Sequence, residues 1–327
     1  LFASCANSGK KANEPFFQMR GVILSWDDIK NPDVIDWIDL MKKNGLNTIS
    51  VCGHEYDDEE YYAFKQKCID AGLDFEYEEH AMTWLLPREL FAEHPEYFRM
   101  DENGGCPSCQ EGLEVLMSNV PEFVRTHKPT NHKYYTWLFD GGDVCHCEKC
   151  KGYNVADQGL IFENNIIKAL REIDPEAQLA HLAYHNSIEA PSVVKPEEGI
   201  FLEFAPFFRT WDQPLKNKDA VGRDGKTTHG EFLRMLEDNL KIFPVETAQV
   251  LDYWMDDSLY SGWKKPQVRV PWHKDVFLSD LETYASYGIR NITAYAIYVD
   301  DYYVKAFEDI SFVDDYGQGL LNYRRTE

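Results

Sequence analysis

The sequence has no run of eighteen apolar residues, so no segment has the length and apolarity of a membrane-spanning helix. No GxGxxG follows its first strand-like run and no GxxxxGK[ST] occurs anywhere, which leaves nucleotide binding without a phosphate-cradling loop. HxH and HExxH spacings are also missing, so a metal-dependent hydrolase would have to assemble scattered residues such as His54, His80 and His185. Basic residues are scarce: 33 Lys and Arg face 56 Asp and Glu, a net charge of −23. Such a surface repels nucleic acid and anionic membrane. It admits an anionic substrate only where basic residues gather locally.

The 327 residues are 44% hydrophobic, enough to bury a sizeable core. Aromatics make up 14%, with 19 Tyr and 8 Trp, which suits either sugar stacking or simply a large core. Eight short β-rich runs recur at 17–26, 46–53, 73–80, 134–140, 178–186, 200–207, 249–254 and 290–299. Helical patterns separate them at 33–44, 59–71, 157–173, 230–242 and 274–287, and Gly45, Gly72 and Gly288 act as stops. This alternation predicts parallel strands, and eight of them predict a single (β/α)₈ TIM barrel of the α/β class. Long loops are expected after strands three, four and six, where such barrels build their mouths.

Leu1-Phe2-Ala3-Ser4-Cys5 resembles the end of a bacterial lipoprotein signal, with small residues before a cysteine that becomes lipidated. The expected organisation is therefore an anchor and tether over 1–14 and a catalytic barrel over 15–327. That organisation places the protein at the cell envelope, on the outer-membrane surface or in the periplasm. It meets the membrane only through a lipid on Cys5.

Chemistry in this barrel class gathers at the C-terminal ends of the strands. Those ends carry Trp26, His54, Glu76, His80, Asp140, Asp143, Tyr184, His185, Glu203, Arg209, Asp252, Trp254, Asp256, Asp257 and Tyr298. Cleaving a glycosidic bond needs a proton donor and negative charge beside a developing oxocarbenium ion, and carboxylates supply both. Asp140 leads the candidates, because it leaves an aromatic strand at a diglycine turn where backbone can approach a ligand closely. Asp143 and Glu203 follow as a second catalytic carboxylate. Substrate contacts are expected from Trp26, His54, Glu76, His80, Tyr184, His185, Arg209, Asp252, Trp254 and Tyr298.

Five of the eight cysteines fall in two groups, Cys106-x₂-Cys109 and Cys145-x-Cys147-x₂-Cys150. Two CxxC units from separate loops form the usual frame of a structural zinc site, here Cys106, Cys109, Cys147 and Cys150, with Cys145 as a further ligand. Disulfides or free thiols are the alternatives in an oxidising envelope.

Five ordered motifs carry a family resemblance: Trp84-Leu-Leu-Pro-Arg-Glu-Leu-Phe91, His94-Pro-Glu-Tyr-Phe-Arg99, Cys145-His-Cys-Glu-Lys-Cys150, Phe201-Leu-Glu-Phe-Ala-Pro206 and Gly288-Ile-Arg-Asn-Ile-Thr293. Over about residues 70–315 the chain resembles the family catalogued as domain of unknown function 4838, associated with glycoside hydrolase family 163. The resemblance implies a hexosaminidase-like barrel with endo-β-N-acetylglucosaminidase activity on the chitobiose core of N-glycans. It also implies retention of configuration, the substrate's acetamido group acting as nucleophile without a catalytic cofactor. The chain departs from related hexosaminidases at Val144, which replaces the Glu of their Asp-Glu pair and leaves room for a barrel that binds glycan without cleaving it. Met117-Ser118-Asn119 replaces a family cysteine before Ser-Asn, so the Cys106/Cys109 pair is an addition and zinc is not inherited with the resemblance.

Overall fold

A computed structural model describes residues 14–53, 58–99, 104–138 and 140–325. Cys5, nearly all of the expected tether and His54 lie outside the described residues. Eight strands form β1 (Met19–Ser25), β2 (Thr48–Cys52), β3 (Asp74–His80), β4 (Lys133–Trp137), β5 (Gln178–Tyr184), β6 (Ile200–Ala205), β7 (Gln249–Asp252) and β8 (Asn291–Ala294). Each pairs in parallel with the next, and β8 returns to β1 through Met19 beside Asn291, closing the barrel. The expected (β/α)₈ fold is the one found, and each strand overlaps one of the predicted runs. Those runs were conspicuous because parallel strands are buried on both faces, as Val22-Ile23-Leu24 and Ile49–Val51 are.

The helices that follow the strands end where local chemistry stops them. Gly45 takes φ 68° after Trp37–Asn44, and Gly288 takes φ 89° after Lys274–Ser286. The first of these helices is capped by Asp36, whose carboxylate accepts from Asp39 N; 32–34 form a turn and not the predicted first helical turn. The excursion between β3 and β4 holds an unforeseen helix, Gln110–His127, with Pro121 inside it. Leu113, Leu116, Val120, Phe123 and Val124 line its buried face, and that burial offsets the lost hydrogen bond.

Alternation along the strands decides which residues enter the barrel. Its interior is unusually polar. Ser50 Oγ donates to Glu76 at 3.0 Å, Tyr135 OH donates to Gln249 at 3.0 Å, and Gln249 Nε2 donates to Glu203 at 3.1 Å. Glu78 lies in the same interior with both carboxylate oxygens buried and unbonded, which favours its neutral form. Long connections rise after β3, β4 and β6 as expected, and also after β7 over residues 253–273.

Candidate active site

The next inward positions above that interior form a mouth. His80 ends β3, Trp137 ends β4, Tyr184 ends β5, and Phe207, Tyr253 and Tyr295 lie just beyond β6, β7 and β8. They line a cavity of about 530 Å³ together with His185, Asp140, Asp256 and Trp263. The rings touch in sequence around it: His80–Trp137 at 5.4 Å, Trp137–Tyr295 at 6.3 Å, Tyr295–Tyr253 at 5.3 Å, Tyr253–Phe207 at 5.3 Å and Phe207–Tyr184 at 5.3 Å. Such a wall suits a ligand with apolar C–H faces and polar edges.

A second cavity of about 400 Å³ adjoins the first, lined by Glu79, Arg88, Arg99 and Gly142 among others. Asp140 and His80 line both. The Tyr184 hydroxyl donates to Asp140 Oδ1 at 3.1 Å and so fixes the carboxyl. The turn that delivers Asp140 needs Gly141. Gly141 takes φ 65°, and a Cβ there would lie 2.8 Å from the His185 ring. A Cβ on Gly142 would lie 2.8 Å from the Arg99 guanidinium.

Asp256 is the other carboxylate on the first cavity. Burial pushes it up to about 7, against a 2.6 Å hydrogen bond from Ser258 Oγ and the backbone N–H groups of Leu259 and Ser258. His80 and His185 each carry a buried Nδ1 with no hydrogen-bond partner, two positions that a polar ligand can satisfy. Burial lowers the His80 pKa, so this ring is neutral near pH 7.

Of the residues expected here, Asp140, His80, Tyr184 and His185 meet at the cavity. The other described candidates lie elsewhere. Glu203 points inward one layer below the mouth, where its carboxylate accepts from Trp137 Nε1 at 2.8 Å and reaches no open space. Burial raises the Glu203 carboxyl to about 8. Glu76 is sealed in the same interior by Ser50 and Asn131. Asp143 faces solvent and pairs with His146 at 2.9 Å. Trp26 packs on Tyr61 and Phe64. Tyr298, at φ 70°, anchors its backbone N–H on Asp28 and lies under Lys265.

Arg209, Asp252 and Trp254 form a buried strut outside the barrel wall. Arg209 bonds Asp252 at 2.9 Å and Asp280 at 2.6 Å, and Trp254 Nε1 donates to Asp280 at 3.0 Å. Leu251 and Tyr253 are the residues of that segment lining the cavity, so Asp252 and Trp254 turn outward with opposite parity. Counting parity from inward Gln249 finds Tyr253, and counting from Glu203 finds Phe207. Asp256, a strand-end carboxylate not among the expected catalytic or substrate-binding residues, follows an irregular turn in which its N–H bonds Tyr253 O at 3.2 Å.

The cysteines form a compact group beside this mouth. The sulfurs of Cys106, Cys145, Cys147 and Cys150 lie within 4.8 Å of one another, a set able to hold a metal ion. Cys145 takes the place expected of Cys109. Cys109 is the N-cap residue of Gln110–His127, and its thiol turns to Glu111 at 3.6 Å. All four are free thiols, so the disulfide alternative is not realised in this structure.

Comparison with known proteins bears on fold and family. The barrel is similar to L-ribulose 3-epimerase (11% identity, 92% of this chain and 91% of that one, TM-score 0.45). It is also similar to a GH5-4 broad-specificity endoglucanase from an uncultured bacterium (10% identity, 91% and 86%, TM-score 0.50). A glycoside hydrolase family 20 β-N-acetylglucosaminidase matches at 10% identity over 94% and 69%, with TM-score 0.48. At 10% identity the likeness to the endoglucanase shows the barrel fold and not the reaction. Among curated proteins, none matches the sequence. The family model "Domain of unknown function (DUF4838)" matches residues 10–304, and the chain belongs to that family.

Proposed function

We propose that this DUF4838 protein is a glycoside hydrolase of the endo-β-N-acetylglucosaminidase type, cleaving the chitobiose core of N-glycans with retention and with the substrate's acetamido group as nucleophile. The observation that carries this reading is the position of Asp140 on both of two adjoining cavities at the barrel mouth. A sugar in each cavity would put the glycosidic oxygen at their junction, which is where the leaving group needs a proton. Asp140 donates that proton, held in place by Tyr184. Asp256 takes the role first sought in Asp143 and Glu203, holding the acetamido N–H and facing the cation as it forms. Its ionised form is costly in the empty cavity, and a neighbouring positive charge reverses that cost. Asp140 then draws a proton from water to open the oxazolinium. Trp137, Tyr253, Tyr295 and Trp263 offer the faces on which the sugar rings stack.

The test is mass spectrometry of glycans released from a mixed panel of N-glycoproteins. The expected products are glycans ending in a single N-acetylglucosamine, with the other left on each asparagine. Glycoproteins that bind the protein and shift in mobility, yet release nothing, would replace this reading with a glycan-binding barrel.

A further inference from the structure

Cys145, Cys147 and Cys150 lie a few residues beyond Asp140 on the loop after β4, whereas Cys106 comes from the excursion between β3 and β4. The Cys106 sulfur lies 3.5 Å from Cys145 and 3.9 Å from both Cys147 and Cys150. Four sulfurs bound to one zinc at ~2.3 Å would stand ~3.8 Å apart at tetrahedral angles, whereas a disulfide needs ~2.05 Å. Backbone and side-chain donors reach these sulfurs and hold the two loops around them. The backbone N–H of Ser108 points to the Cys106 sulfur, and those of Lys149 and Cys150 point to Cys147. Ser108 Oγ lies 3.1 Å from the Cys150 sulfur, and buried Gln158 clamps the Cys145 peptide with two bonds of 2.9 Å.

The two loops joined by the cluster also form the second cavity. Arg99 comes from the excursion, Gly142 and Asp140 come from the β4 loop, and all three line it. Among the described residues, the β4 loop has no regular secondary structure from Leu138 to Asn154. Near Asp140, Asn186 Nδ2 on Gly142 O at 2.8 Å and the Tyr184 hydroxyl on Asp140 at 3.1 Å tie it to β5 and the turn beyond. We propose that Cys106, Cys145, Cys147 and Cys150 bind one structural zinc ion that fixes the β4 loop against the excursion and so positions Asp140 and the wall of the second cavity. The kinetic consequence rests on Asp140 being the acid of the proposed reaction, but the metal site and the loop ordering do not.

The experiment compares protein purified without chelator, the same protein stripped by a thiol-competitive chelator, and the variants Cys147→Ser and Cys109→Ala. Metal analysis should give one zinc per chain, with four thiols shielded from alkylation until the metal is removed. Cobalt(II) replacing zinc should show tetrahedral thiolate absorption, retained in Cys109→Ala and altered in Cys147→Ser. Hydrogen exchange over 138–154 should quicken on stripping while the β5 and β6 strands stay protected. Natural glycan cleavage should fall about 10²-fold, the scale of a misplaced catalytic group, and an activated aryl glycoside should change little. No bound metal and four freely alkylated thiols would overturn the site. Bound zinc whose loss leaves exchange over 138–154 unchanged would overturn the positioning role. If exchange responds but no substrate turns over before or after stripping, the metal proposal stands and the glycosidase reading fails.

Discussion

Replacing Arg209 by alanine isolates what a residue expected to touch substrate does in the fold. Its guanidinium lies between Asp252 and Asp280, and all three side chains are fully buried. Asp252 also accepts from Trp211 Nε1 at 2.7 Å and Tyr284 OH at 2.9 Å, and Asp280 accepts from Leu215 N at 2.8 Å. Alanine leaves two carboxylates in a dry site with their cation gone. Breaking a buried pair from one side costs about 3–5 kcal/mol. For 327 residues, an unfolding entropy of about 2 cal/mol/K per residue makes each kcal/mol worth about 1.5 °C, so the melting temperature should drop by ~4–7 °C. Calorimetry of wild type, Arg209→Ala and Arg209→Lys at one pH measures it, with lysine expected to recover part of the loss. Substrate KM should hold at temperatures where the variant stays folded. A melting temperature within 1 °C of wild type together with a raised KM would refute the strut and return Arg209 to the substrate.

Two other substitutions probe the barrel interior and the turn at the mouth. The Glu203 carboxyl, raised to about 8 by burial, binds its proton more tightly folded than unfolded. Its stabilising share is complete below about pH 4.5 and disappears as pH rises to 8. Glu203→Gln should therefore match wild type at pH 5 and exceed it by about 1–3 kcal/mol at pH 8.5 in urea melts; equal pH slopes would show Glu203 ionised throughout. Gly141→Ala should cost about 1–3 kcal/mol of stability through its φ of 65° and its approach to His185, and should raise KM as that ring moves; an unchanged KM would remove His185 from the site.

The fold was readable because its signals are local. Gly45, Gly72 and Gly288 stop helices at positive φ in the structure where their spacing predicts stops. Parallel strands buried on both faces write themselves as apolar runs. Which side of the wall a given acid occupies is not local. Asp252 and Asp256 both look like strand-end carboxylates, yet one bonds Tyr284 in the helix layer and the other lines the cavity. β7 has only four residues, and the turn after Tyr253 ends the alternation before Asp256 is reached. Glu203 has the right parity and the wrong height, one layer too deep. The cysteines follow the same logic: CxxC spacing favours Cys109, but the helix beginning at Gln110 turns that sulfur away and Cys145 fills the set.

The most direct measurement of the central claim is the ratio of kcat/KM for a natural N-glycan to that for an activated aryl glycoside, in wild type and in Asp140→Asn. An amide keeps the shape of the carboxyl and its contact with Tyr184 but has no acidic proton to give. General acid catalysis is worth about 10²–10⁴-fold, and an aryl leaving group needs little of it. Asp140→Asn should lose about that factor on the natural glycan, keep most aryl glycoside cleavage, and bind both with unchanged affinity. Asp256→Asn should instead slow both substrates alike. Cleavage of the natural glycan by Asp140→Asn at the wild-type rate would show that Asp140 is not the acid.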